Sequence, residues 1–366
     1  MRIQFIFFSL LTFVSCISIN NNNQQRIVND QAIISKSGII TCFPEGTRTA
    51  DHKIAHCEAS AVSFYNNKLV FGNDKPLNPP FSPVFSIDYN SIGHTKKQKV
   101  TYHTQSHFTQ PRKIEDITIS FDEKYLFAIT AFDYQKKEEF DTNGTLIYWR
   151  SNDFNKVNYM QIKATEGPTK DLRKYISDAL GSPKYFKIEG LAIMPDNQFL
   201  IGVREQGNSY KDFNYTIKFI SVSYGEKNAE IYLNDDFKIV YEFNDTKKFV
   251  NEEISLSSIE WDKFNNRLLL LTSFESKSGS IGAYLWTLNR EDIIQGNAPQ
   301  LVSHNSVPLK FNNKSEGLTI INKQNVFIIN DDDRYVKPTQ IDGFQYYKKA
   351  NEAIYNIVQF KSSESQ

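Results

Sequence analysis

Ile188-Glu189-Gly190-Leu191-Ala192-Ile193 is a short strand that opens on a carboxylate, and the same phrase returns four more times along the chain. It stands as Cys57-Glu58-Ala59-Ser60-Ala61-Val62, as Ile114-Glu115-Asp116-Ile117-Thr118-Ile119, as Leu256-Ser257-Ser258-Ile259-Glu260-Trp261 and as Ser315-Glu316-Gly317-Leu318-Thr319-Ile320. After each comes a polar turn and a second apolar strand, among them Tyr125 to Thr130 and Phe199 to Val203. A third strand rich in β-branched and aromatic residues follows, such as Thr145 to Arg150 and Ala283 to Asn289. A strand-turn-strand unit returning every roughly 57 to 74 residues predicts an all-β chain folded as a β-propeller. Five blades fit, with six as the alternative count.

Outer strands are expected at Lys99 to Thr104, Val157 to Ile162, Phe237 to Phe243 and Gln300 to His304, and the fifth unit has no obvious one. The apolar segment Gln31 to Cys42 is left over at the other end of the chain. Pairing it with the last blade would close the ring and remove two open sheet edges. Between the second and third units, Asp171, Leu172, Tyr175, Ile176 and Leu180 recur at helical spacing, which predicts a short helix within Thr165 to Tyr185 lying over one face of the ring.

The chain has 366 residues, 40% of them hydrophobic and 14% aromatic, with no net formal charge. Such a composition supports a large core and argues against a nucleic-acid partner. Met1-Arg2 and the apolar run Ile3 to Val14 end near small residues and read as a secretory signal over residues 1–18, too short to span a membrane. A lipidated Cys16 is the rival reading. Residues 19–30, with the asparagine tract Asn20 to Asn23, form a leader before a single propeller domain over 31–362. The expected location is therefore outside the cell, as a monomer. There Cys42 and Cys57 are expected to form a disulfide, with a reactive Cys57 beside Glu58 as the alternative. Asn143, Asn214, Asn244 and Asn313 begin glycosylation sequons.

In a propeller, the innermost strands run along the central axis, so a residue repeated at their start is brought to one level around it. Glu58, Glu115, Glu189, Ser257 and Glu316 would then converge. A hard cation relieves such a cluster, and Ca²⁺ takes roughly 6–8 oxygen ligands in flexible geometry. The alternative is that each carboxylate caps its own strand, with no metal. The ends of the second strands fall at the same mouth and add Asp74, Lys75, Arg204 and Asp331. Arg204 suits an anionic substrate group or a salt bridge to Glu189 or Glu205. Asp74 and Asp331 are candidate proton acceptors, or else turn and solvated-loop residues. No histidine spacing suits zinc, and no nucleophile elbow or phosphate-binding glycine loop is present.

The order Glu, Glu, Glu, Ser, Glu, with Phe199 to Arg204 and Ser315-Glu316-Gly317-Leu318, resembles the calcium-centred secreted propellers, nearest in pattern the calcium-activated nucleotidases or apyrases. The Glu-Gly-Leu phrase also resembles bacterial propellers of the esterase-like phytase type. These resemblances imply a metal-dependent hydrolase of phosphate esters or anhydrides, with Ca²⁺ at the axis and Arg204 and Lys75 holding the substrate's charge. The chain departs from the nucleotidases at Asn73-Asp74-Lys75-Pro76, where an arginine is expected, and at Arg204-Glu205, where two are. The alternatives are a non-catalytic propeller that binds a glycan or a protein around a structural metal, and a glycosidase built on two rim carboxylates.

Overall fold

A computed structural model describes residues 30–93, 97–133, 143–163, 170–332, 338–341 and 343–361. The expected signal and all of the leader but its last residue lie outside these, as do Asp333 and Arg334.

Five antiparallel sheets follow one another along the chain, each beginning with one of the repeated phrases. The inner strands are Ala59–Tyr65, Ile114–Ile119, Tyr185–Met194, Ser255–Asp262 and Ser315–Ile320, and each touches the inner strands of its neighbours around the ring. The second strands are Lys68–Asn73, Tyr125–Thr130, Gln198–Ser209, Arg267–Glu275 and Asn325–Asn330. Five apolar clusters fill the five gaps between adjacent blades, and every inner strand contributes to them, with Val62, Ile117, Leu191, Ile259 and Leu318 each in a different cluster. The fold is a five-bladed β-propeller.

The ring closes as expected. Ala32–Thr41 is the outer strand of the fifth blade, paired antiparallel with Glu352–Phe360 from Ala32 opposite Phe360 to Thr41 opposite Glu352. The Cys42–Cys57 disulfide follows directly and ties this closing strand to the start of the first blade.

The outer edges differ in detail from expectation. The second blade's outer strand is Asp153–Tyr159, whereas Gln161–Ile162 leaves it to pair in parallel with Glu230–Leu233 of the third. The helix is Lys170–Ala179, and Leu172, Ile176 and Leu180 bury among Phe132, Phe186 and Leu233. It therefore packs as part of the interface between blades two and three. The third blade's middle strands, Gln198–Ser209 and Asp212–Lys227, are the longest in the ring and extend beyond the level of the other hairpins.

A feature invisible in the strand pattern recurs in every inner strand. Each carries a β-bulge near its start, with the register shifting between Ala59 and Ala61, Ile114 and Asp116, Ile188 and Gly190, Leu256 and Ser258, and Ser315 and Gly317. The extra residues are therefore Ser60, Glu115, Glu189, Ser257 and Glu316. A bulge re-aims side chains and increases local twist, and it is common beside functional sites. In the fifth blade the next residue must be small, because a Cβ on Gly317 would lie 2.7 Å from the Ser60 carbonyl of the adjoining inner strand.

Candidate functional site

The bulges correct the sequence alignment in the first blade. The equivalent of Glu115, Glu189, Ser257 and Glu316 is Ser60 and not Glu58, so the axial ring is Ser, Glu, Glu, Ser, Glu. Glu58 precedes its strand by one residue, where its backbone N–H donates to Asn73 Oδ1 at 2.8 Å and its carboxylate pairs with Lys75.

The remaining carboxylates do converge, but in company with basic side chains: Lys187 of the third inner strand, Lys314 just before the fifth, and Arg204 of the third blade's second strand. Lys187 Nζ lies 3.5 Å from Glu115 Oε1 and also contacts Glu189 Oε1. Lys314 Nζ lies 2.8 Å from Glu316 Oε1. Arg204 Nε sits 3.8 Å from Glu189 and 3.6 Å from Glu205, while its Nη1 donates to the Leu256 carbonyl at 2.9 Å and to Ser257 Oγ at 3.2 Å. Ser257 Oγ is in turn 2.7 Å from Ser273 Oγ. The register shifts on either side of Ile188 interrupt the regular alternation here, and the bulge turns Glu189 towards Lys187.

This donor set does not fit a calcium shell. Ca²⁺ needs oxygen ligands turned on one point, and here ammonium or guanidinium groups stand against Glu58, Glu115, Glu189 and Glu316. Among the described residues, no three His, Cys, Asp or Glu side chains are grouped as a metal site. The like-charge problem that suggested a metal is answered by lysine and arginine. Arg204, only 8% exposed, is likewise engaged within the protein and does not face solvent as an anion clamp.

Asp74, Arg204 and Asp331 do reach the same mouth. Lys75 feels the charges of Asp74, Glu58 and Asp331 together, and its ammonium pKa is raised because these overcome the effect of burial. Asp331 is buried, and its backbone N–H donates to the Lys314 carbonyl at 2.9 Å.

Burial and charge separate the two closest carboxyls. Burial, then the neighbouring Glu189, pushes Glu115 well above the usual carboxylate range. Burial acts on Glu189 in the same sense, but Lys187 and Arg204 outweigh it and hold Glu189 below that range. Their exposures are 4% for Glu115 and 2% for Glu189, and Lys187 stands against both.

A second layer lies deeper in the channel. Asp116 accepts from the backbone N–H of Ile117 at 3.0 Å, of Leu191 at 2.8 Å and of Ile259 at 3.3 Å, and from Ser258 Oγ at 3.1 Å, joining blades two, three and four. Below it Thr118 Oγ1 donates to Glu260 Oε1 at 3.2 Å.

Beside the charged mouth, the overhanging hairpin of blade three forms an open groove of about 630 Å³. Gln206 stands directly opposite Asn214, and Asn208, Thr216 and Lys218 of the same two strands line the groove with them. Lys218 Nζ donates to Gln206 Oε1 at 2.9 Å and pairs with Glu242 at 3.3 Å. Thr216 Oγ1 is buried with no hydrogen-bond partner. Tyr215, 37% exposed, also lines the groove, and its ring centroid lies 5.7 Å from the Arg204 guanidinium. Sequence reasoning missed this site. Its only signal was the alternation of amide and hydroxyl residues through Gln206 to Lys218.

The four sequons divide. Asn214 and Asn244 are exposed and both line the groove. Asn143 and Asn313 are buried, with their amide nitrogens turned to Asp133 and Asp332, so neither presents an acceptor nitrogen on the folded surface.

No family model matches the chain, and no curated protein matches its sequence. Among solved structures it is similar to the catalytic domain of a GH62 α-L-arabinofuranosidase from Coprinopsis cinerea, at 10% identity and TM-score 0.45 over 88% of this chain and 96% of that one. It is similar to an N-acetylgalactosamine deacetylase from F. plautii in complex with blood group B trisaccharide, at 10% identity and TM-score 0.45 over 87% and 94%. A GH62 hydrolase in complex with xylotriose aligns at 12% identity and TM-score 0.43 over 88% and 97%. Likeness of this degree decides nothing about chemistry.

Proposed function

We propose that this chain is a glycan-binding propeller, secreted, whose third-blade groove holds a short oligosaccharide while the axial charge network serves as the keystone of the ring. The groove carries the reading. Its about 630 Å³ is lined mainly by neutral hydrogen-bonding side chains, with one exposed aromatic ring and a buried hydroxyl that lacks a partner. Amides and hydroxyls match the donors and acceptors of a sugar, and an aromatic face suits its C–H surface. The charge network counts against a strongly anionic ligand, because its basic groups already face carboxylates.

Calorimetric titration with a panel of neutral oligosaccharides tests this. At least one should bind, with Gln206→Ala and Tyr215→Ala each weakening it about tenfold and leaving thermal unfolding unchanged. Because Asn214 and Asn244 border the groove, both glycosylated and unglycosylated protein should be measured. Absence of binding in both forms would reject the reading.

The opposed shifts of Glu115 and Glu189 favour a second reading, hydrolysis at the axial mouth. A carboxyl kept protonated beside one kept ionised is the usual pairing of a general acid and a general base. Glu115 would then donate a proton to the leaving oxygen and Glu189 would activate water, on a phosphate ester or a glycoside. Turnover of nucleotides, phytate, sugar phosphates or aryl glycosides that disappears in both Glu115→Gln and Glu189→Gln would establish it; turnover that survives either change would remove it.

A further inference from the structure

The other mouth of the channel is chemically unlike the first. There the far ends of the inner strands contribute Phe64, Ile119, Ile193, Trp261 and Ile320, which with Phe264 and others surround a socket of about 100 Å³. Two carboxyl side chains line it: Glu123, at the exposed rim beside Lys263, and Glu260, set into the apolar wall and only 6% exposed.

Glu260 differs from the carboxylates of the opposite mouth. Among the described residues, no lysine or arginine forms an ion pair with it. Lys263 at the rim pairs instead with Glu123, and Asp262 pairs with Arg267 at 3.1 Å. The other ionisable group above it, Asp116, is held by its four donors. A buried carboxyl in mostly apolar surroundings, whose nearest lysine, Lys263, is already paired with Glu123, is complementary to a ligand that brings one hydrocarbon segment and one cation.

We propose that this distal socket binds a small primary alkylamine, its ammonium group paired with the Glu260 carboxylate and its chain against Ile119, Ile193 and Ile320. Burial pushes the Glu260 carboxyl up to about 8, with Thr118, the Trp261 backbone and Lys263 pulling it back and Asp262 adding to the rise. Near neutral pH the ligand-free socket therefore holds a carboxylic acid. An entering ammonium favours the ionised form, so the carboxyl proton passes to solvent as the ion pair forms.

The test is calorimetry of the whole protein with n-butylamine hydrochloride and, as its neutral counterpart, 1-butanol, at pH 6.5 in two buffers of different ionisation enthalpy. Butylammonium should bind at least tenfold more tightly than butanol and release close to one proton. Glu260→Gln should abolish both the preference and the proton release, with its fold checked by circular dichroism. Phe264→Ala, at the exposed rim, should weaken both probes and preserve the preference. No saturable butylammonium binding, equal binding of the two probes, or an unchanged preference in Glu260→Gln would each overturn the proposal.

Discussion

Two carboxyls inside the channel illustrate how much one side chain can govern here. Asp116 takes donors from three blades, so Asp116→Ala would leave the Leu191 and Ile259 amides buried without acceptors. Each such orphan costs about 1–3 kcal/mol, and we expect a loss of about 3–5 kcal/mol in urea unfolding. A loss below about 1 kcal/mol would mean that solvent replaces the carboxylate. Glu260 gives a pH signature. Its folded pKa lies near 8 against an ordinary value of 4.5, so its favourable contribution is complete below about 4.5 and is lost as pH rises through 8. Glu260→Gln should flatten the stability profile between those limits and make the protein more stable than wild type at pH 8, by on the order of a few kcal/mol. Paired denaturation curves at pH 5 and pH 8 check this. The sequence held both residues inside quoted motifs, yet nothing in it distinguished them from their neighbours, because their roles depend on contacts between blades.

At the scale of the element, the closing strand Ala32–Thr41 belongs to the first segment of the folded chain and the last sheet. Its pairing was legible because an apolar segment was left over exactly where a blade lacked an edge, and unpaired edges are avoided. The disulfide just beyond it joins cysteines 15 residues apart, and a loop of this length corresponds to about 3 kcal/mol. Cys42→Ser should therefore lower stability in oxidising conditions by about 2–4 kcal/mol and make it insensitive to reductant. Urea curves with and without dithiothreitol read this directly, and a variant as stable as wild type would show that strand pairing alone holds the closure. The bulges were less legible. A bulge adds a residue without altering the apolar alternation on either side, so in the first blade Glu58 aligned with the motif glutamates although Ser60 takes their place. Ser60 has neither charge nor bulk to reveal that it faces the axis.

For the whole molecule, the question is what lets five strands bring carboxylates to one axis. Convergence was legible from the repeat, and part of its neutralisation was there to be read too, because Lys113, Lys187 and Lys314 each stand two residues before a motif glutamate; Arg204 comes from a second strand and follows no such spacing. If these cations do the work expected of calcium, removing one should recreate the problem that a metal would solve. Lys187→Met leaves Glu115 and Glu189 facing each other in a buried site, a loss on the order of 3–5 kcal/mol. Calcium at millimolar concentration should recover part of that loss by bridging the two carboxylates, giving the variant a midpoint that rises with calcium and falls with chelator. The wild-type midpoint should move by no more than about 1 °C between the same conditions, since Lys187 already occupies the space between the two glutamates. Thermal unfolding of both proteins, in chelator and then in calcium, separates the cases. A large calcium-specific rise in the wild type would restore the metal-centred ring, with the lysine displaced on binding. A variant indifferent to calcium would show that the carboxyl pair relieves its repulsion by keeping Glu115 protonated, the state towards which burial and Glu189 already push it.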